Sequence, residues 1–326
     1  MLLGGVLVAV SSPDSVFVLR ALGIGDLLTG VPALRGLRRA WPDSRLVLAA
    51  PRQLAELVAL TGAVDVLWHA TGPEDFEAPV PPPGVAVNLH GSGPESVRAL
   101  CRLGAEHVLS HAHPVRPELD GPAWEPDQHE TRRWCRMLEH FGIGSDSADL
   151  GIARPGTAGP APGAVVVHPG ASHAARRWPA ERYAALADGL AGAGRDVVVS
   201  GSGAERALAE RVASSAGLPA DSVLAGDHGL TELAALVANA ELLVCGDTGV
   251  AHLATAYDTP SVVLFGPVSP EHWGPPSGGA HIALWTGHHG DTFADRPDSG
   301  LLEITVDRVA EAATSLLSSY ADSAAS

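Results

Sequence analysis

The chain has 326 residues, 46% of them apolar, and a formal net charge of −16. That length is ample for two cores of roughly 150 residues each, while the charge excludes a large nucleic-acid footprint or an anionic membrane face, since both need clustered cations. All 21 basic residues are arginine, which excludes lysine Schiff-base chemistry and a lysine-bearing phosphate loop.

In chain order, Met1–Val10 is apolar but has no basic flank and no cleavage pattern before Ser11-Ser12-Pro13-Asp14. No later apolar run approaches the about 18 residues of a membrane span. With three widely spaced cysteines, Cys101, Cys135 and Cys245, this predicts a cytoplasmic protein with at most peripheral membrane contact. Val16–Leu19 reads as a strand, followed by the turn Gly23-Ile24-Gly25-Asp26. Leu27–Ala40 has helical spacing and ends at Trp41-Pro42. Arg45–Ala49 is the next strand, Gln53–Thr61 a helix, and Val64–Trp68 and Val85–Leu89 further strands.

Residues 149–163 are rich in Gly and Pro without periodicity and read as a linker, a natural hinge between two domains. The pattern then restarts with strand Ala164–His168, helix Ala180–Gly192, strand Asp196–Ser200 and helix Glu205–Ala216. Helix Thr231–Ala238, strand Glu241–Cys245, helix Gly249–Tyr257 and strand Ser261–Phe265 follow, and Glu303–Ala321 is a last helix. The loop from Gly274 to Gly300 shows no regular pattern. Alternating strands and helices of this kind predict an α/β protein with parallel sheets.

Three segments of the second half fall at strand ends. These are His168-Pro169-Gly170-Ala171-Ser172 with Arg176-Arg177 behind it, Gly201-Ser202-Gly203-Ala204-Glu205, and Gly246-Asp247-Thr248-Gly249-Val250-Ala251-His252. A helix that starts beyond a strand turns unpaired N–H groups and a positive dipole end toward the crevice, where phosphate binds. Either Arg176 or Arg177 can act as a phosphate clamp, and Glu205 can accept hydrogen bonds from a ribose. In the first half, Gly23-Ile24-Gly25 lacks the third glycine of a dinucleotide fingerprint, because Leu28 stands there, and no acidic residue ends the second strand. Asp26 at the helix start then reads either as a cap or as a carboxylate general base.

Bland readings apply elsewhere. Arg35, Arg38 and Arg39, and likewise Arg132, Arg133 and Arg136, sit at helical spacing and read as solvated helix faces. His111 with His113, and His288 with His289 and Asp291, lack a complete metal ligand set. Trp178 reads as packing beneath the phosphate loop, and Trp273 is left open.

Three groups of residues together resemble glycosyltransferase family 9, the ADP-heptose:lipopolysaccharide heptosyltransferase family. They are Arg20 to Asp26 with Pro32-Ala33-Leu34; His168 to Ala171 with Arg177-Trp178-Pro179-Ala180-Glu181-Arg182-Tyr183; and Gly246 to His252 with Thr259-Pro260 and Leu264-Phe265-Gly266-Pro267. The resemblance implies a GT-B fold, two Rossmann-like doubly wound parallel-sheet domains facing a cleft. The acceptor domain would be 1–150, the linker 151–163, the donor domain 164–302, and 303–326 a terminal helix and tail. It also implies an inverting glycosyltransferase that needs no metal or other cofactor and moves a heptose-like sugar from a nucleoside-diphosphate donor, an ADP-sugar by preference. By the same resemblance Asp26 is the catalytic base, and Ser172, Arg176, Glu205, Asp247, Thr248, Gly249, Val250 and His252 hold the donor. Arg176 stands where the family usually has lysine, which keeps the charge but changes its geometry.

The acidic, lysine-free first half argues against a phosphorylated lipid A core as acceptor and favours an envelope glycan or a small molecule. A monomer without nucleic-acid partners is expected. The rival readings are a nucleotide-sugar binding protein without activity and a non-hydrolysing sugar-nucleotide epimerase.

Overall fold

The computed structural model describes residues 12–277 and 280–324; the apolar Met1–Val10 segment lies outside the described residues. The chain divides into two compact units, with the division between Ala153 and Arg154.

In the first unit, strands β1 (Ser15–Leu19), β2 (Arg45–Ala50), β3 (Val66–His69), β4 (Val85–Asn88) and β5 (His107–Leu109) form one parallel sheet in the order β3-β2-β1-β4-β5. Its helices are α1 (Ile24–Thr29), α2 (Val31–Ala40), α3 (Ala55–Leu60), α4 (Pro94–Arg102) and α5 (Glu130–His140). The four residues from Val16 to Leu19 are buried, as expected of a central parallel strand covered on both faces. Strand order reverses between β1 and β4, which pair in register from Val16↔Val85 to Leu19↔Asn88. Ligands of open α/β sheets bind beyond such a reversal.

The single helix expected over Leu27–Ala40 is two. α1 starts earlier, at Ile24, and α2 restarts at Val31 with Pro32 in its first turn. Proline has no N–H to give to the turn before it, so it is tolerated only at a helix start. α4 and β5 are not expected from the sequence, because their surroundings are rich in Gly and Pro, whereas α5 carries the helical spacing of Arg132, Arg133 and Arg136.

The second unit is a parallel sheet of β6 (Val165–His168), β7 (Val197–Val199), β8 (Leu242–Gly246), β9 (Ser261–Leu264) and β10 (His281–Leu284), in the order β10-β9-β8-β6-β7. Val223 adds one parallel bridge to Val199 at the edge, where the third strand of a Rossmann order would lie. Around the sheet are α6 (Ala180–Gly192), α7 (Arg206–Ser215), α8 (Leu230–Ala238), α9 (Gly249–Tyr257), α10 (Pro270–Trp273), α11 (Ser299–Glu303) and α12 (Val306–Ala324). The order reverses between β6 and β8, both buried along their whole length. Trp178 and Tyr183 pack beneath them with ring centroids 4.9 Å apart, and the Trp178 indole N–H donates to the Ile304 carbonyl at 2.9 Å.

The segment from Gly274 to Gly300, expected to be irregular, contains β10 and the start of α11. β10 is only partly buried except at Leu284, which blurs the alternation that marks a strand. Near the boundary between the units, the Ala153 N–H donates to the Leu60 carbonyl at 2.9 Å. The Arg154 guanidinium instead bonds the Ala238 carbonyl at 2.6 Å and lies over the Tyr257 ring. Among the described residues no helix is long and apolar enough to cross a membrane.

α9 ends on Asp258 with φ of 54°, a left-handed conformation that costs a residue with a Cβ about 1 kcal/mol. Asp258→Gly is therefore expected to stabilise the protein by up to that amount, seen as a higher thermal unfolding midpoint.

Candidate functional site

In the second unit the three predicted segments do converge, each leaving the carboxyl end of β6, β7 or β8 around the strand-order reversal. β6 ends on His168, which is buried with Nδ1 2.9 Å from the Ser200 hydroxyl. Burial pushes this imidazole toward its neutral form, against the pull of Glu205. Beyond it, Gly170 has no room for a side chain: a Cβ there would stand 2.2 Å from Glu205 Oε1. The other oxygen, Oε2, accepts from the Ser202 backbone N–H at 2.8 Å and from its hydroxyl at 2.7 Å. Burial works against the Glu205 charge, but the two Ser202 donors, His168 and Arg177 hold its carboxyl below the usual range. Glu205 is thus an ionised acceptor pinned against the phosphate-loop backbone.

β8 ends on Gly246, where a Cβ would lie 2.8 Å from the Arg176 carbonyl; the missing side chain lets the two loops touch. Arg176 Nη1 stands 3.5 Å from Asp247 Oδ2. Burial raises the Asp247 carboxyl above its ordinary range, and Arg176 only partly offsets this. The Arg176 Nε is buried with no hydrogen-bond partner among the described residues. A guanidinium with one long ion pair and an idle N–H still has a fork to offer a phosphate. Arg177 is committed elsewhere: its Nε donates to the Ala171 carbonyl at 2.8 Å. The choice between these two arginines therefore falls to Arg176.

Thr248 occupies the cap position of α9, yet its side chain makes no capping bond, which leaves the hydroxyl uncommitted to the first-turn N–H groups of Gly249 and Val250. His252, one turn on, packs edge-on against Trp273 with centroids 6.1 Å apart. Ser172 is exposed at the tip of the loop after β6. Hydroxyls, N–H donors and an arginine fork surround this strand end and suit an anionic, diphosphate-like ligand.

A strap that sequence reasoning missed crosses the same loop. The Ala175 N–H donates to the Ala294 carbonyl at 3.2 Å, and the Asp298 N–H donates to the Ala175 carbonyl at 3.1 Å. His288 Nδ1 lies 3.1 Å from Asp298 Oδ1, which also accepts from the Gly300 N–H at 2.9 Å. The ring of Phe293 sits against His173 at 4.9 Å while remaining 73% exposed. Asp298-Ser299 capping a helix was the available signal.

In the first unit Asp26 lies in the first turn of α1. Its Oδ2 accepts from the Gly23 N–H at 3.2 Å, and Oδ1 stands 3.8 Å from Arg20 Nη2. Capping thus occupies one carboxylate oxygen, and the side chain keeps 28% of its surface exposed. Arg20 is buried and bonds the Asp26 and Leu89 carbonyls, the Thr29 hydroxyl at 3.0 Å and Glu130 Oε1 at 3.2 Å. Glu130 also takes the Trp134 indole N–H at 2.8 Å and Arg133 Nε at 3.1 Å. Arg133 is buried and its guanidinium lies 4.0 Å from the Trp124 ring centroid, which corrects its reading as part of a solvated face. Arg35 and Arg39 both pair with Asp149, and Arg38 pairs with Asp65. His111 is buried edge-on to Trp124 and Trp134 at 5.0 and 5.7 Å, and burial and nearby arginines lower its imidazole to about 4.

A family model described as glycosyltransferase family 9 (heptosyltransferase) matches residues 126–295, just over half of the 326 residues. Lipopolysaccharide heptosyltransferase 2 of Salmonella typhimurium is 37% identical over 190 residues, covering 56% of this chain and 50% of that protein. Lipopolysaccharide heptosyltransferase 1 of Pseudomonas aeruginosa is 38% identical over 173 residues, covering 51% and 45%. The chain thus spans about half the length of the curated relatives it matches. Among solved structures, a family 9 glycosyl transferase from Veillonella parvula superposes with a TM-score of 0.76 at 21% identity, covering 93% of this chain and 97% of that one. ADP-heptose lps heptosyltransferase II of E. coli gives 0.74 at 19% identity, covering 94% and 99%. At such identities the likeness establishes the fold, which is of the GT-B type.

Asp247 allows a pH prediction. Its folded-state proton affinity exceeds the ordinary value of 3.8, so the folded state binds the proton more tightly than the unfolded one. Stability from this group is therefore present at low pH and lost as pH rises above 3.8. Asp247→Asn is expected to flatten that decline, measured as denaturant unfolding free energy against pH in both proteins.

Proposed function

The chain belongs to glycosyltransferase family 9, and from that premise we propose that it is an inverting, metal-independent transferase moving a heptose-like sugar from an ADP-sugar to a glycan hydroxyl. The observation that carries this reading is the convergence of Arg176, Thr248 and the first turn of α9 at the β6–β8 reversal, with Glu205 pinned in the loop after the neighbouring strand β7.

In the proposed reaction Asp26 takes the proton of the acceptor hydroxyl. The acceptor oxygen bonds to the anomeric carbon as the bond from that carbon to the β-phosphate oxygen breaks, and one displacement inverts the centre. The diphosphate leaves with the electron pair. Ser172, Arg176, Thr248, the Gly249 and Val250 N–H groups and His252 receive the growing negative charge. Donors aimed at charge that develops during bond breaking stabilise the transition state more than the ground state. An arginine fork and a helix start supply at this spot what a divalent cation supplies in other transferases. Glu205 accepts from the donor ribose, and Asp247 orients Arg176.

Two measurements test the reading. A thermal-shift screen over ADP-, GDP-, UDP- and dTDP-sugars is expected to single out an ADP-sugar, because a ligand of the native state stabilises it by mass action; no shift with any of them overturns the donor assignment. Asp26→Asn is expected to keep donor affinity and to lower turnover by about 100-fold or more. Unchanged turnover sinks the base assignment, and loss of turnover on chelation of metals sinks metal independence.

A further inference from the structure

One nitrogen, Arg20 Nη2, lies 3.2 Å from Glu130 Oε1 and 3.8 Å from Asp26 Oδ1. The guanidinium itself is fully withdrawn from solvent, while Asp26 keeps part of its surface exposed. A buried cation placed between two carboxylates divides its field between them, and the nearer one takes the larger share. We propose that Glu130 sets how readily Asp26 takes up a proton, by competing for the guanidinium that the two share. The proposal rests on the reading of Asp26 as the base and adds Arg20 and Glu130 as positioning residues.

The surroundings support this. Glu130 is held in its charged form: burial opposes it, but Arg20 and Arg133 prevail, aided by the Trp134 indole N–H. Its claim on Arg20 is therefore that of an ionised carboxylate. The remaining groups facing Asp26 are few. From the loop after β4 comes His90, which burial and then Arg20 push toward its neutral form. From its own helix comes the Gly23 N–H, at 3.2 Å.

A carboxylate beside an uncompensated buried arginine holds its proton weakly and makes a poor base. Glu130 drains that field and leaves Asp26 more basic. Arg20 meanwhile keeps Asp26 in place, because its Nε bonds the Asp26 carbonyl while Nη1 bonds Leu89 at the end of β4.

The test reads the Asp26 titration directly, without substrate, in full-length protein with aspartate labelled at the carboxyl carbon. The resonance is assigned by its loss in Asp26→Asn. Glu130→Gln keeps the side-chain shape, and its midpoint for Asp26 is expected to fall by about 0.5–1 pH unit. Glu130→Asp, which withdraws the carboxylate by one carbon, is expected to move it the same way and serves if the glutamine variant does not fold. Asp149→Asn, a carboxylate held by Arg35 and Arg39, is expected to leave it unchanged.

In an Arg20→Gln background the Glu130→Gln shift is expected to shrink to less than half, since no shared cation is left to compete for. A midpoint that stays or rises in both Glu130 variants overturns the proposal, as does an equal shift in both backgrounds. A wild-type protein that transfers no sugar overturns the base assignment instead and leaves this titration readable.

Discussion

Both units are organised around apolar stretches of their central strands. Val165 to Val167 and Leu242 to Cys245 are buried on both faces of the second sheet, as Val16 to Leu19 are in the first. Covered parallel strands pass their polar chemistry to the loops at their carboxyl ends. Crossover connections return the chain to the opposite end of the sheet before the next parallel strand, so these loops gather side by side. The clustering of loops in each unit follows from that confinement more than from any single residue.

The two arginines at these strand ends show how partner number decides a role. Arg20 has carbonyls, a hydroxyl and a carboxylate around its guanidinium and no exposed surface left. Arg176 has one ion pair at 3.5 Å and an idle Nε. The first is a fastener, while the second keeps an N–H unspent. A chain without lysine loses little here, because five N–H groups in a plane bind several acceptors at once, where an ammonium has three.

The alternation of strands and helices was legible from apolar runs and Gly-Pro breaks. The three strand-end segments of the second unit were legible from glycines placed before helix starts. Elements with weak contrast were not: β10 is half-exposed and interrupts a Gly-rich loop, and β5 is only three residues long. Arg133 misled for the same reason, since helical spacing of charges looks alike on a wet face and on one buried against Trp124. Glu130, 110 residues from Arg20, became a partner only through folding, and no local pattern announces a pair so far apart in sequence. The hold of Asp298 on Ala175 belongs to the same class of long-range bonds.

The chain passes from one unit to the other at the peptide bond between Ala153 and Arg154. Ala153 is tied to Leu60, and its neighbour Arg154 to Ala238 and Tyr257. A genetic exchange that joins two family members at that peptide bond hands on each hydrogen-bonded sheet whole. Each half would keep its full set of backbone ladders in such an exchange.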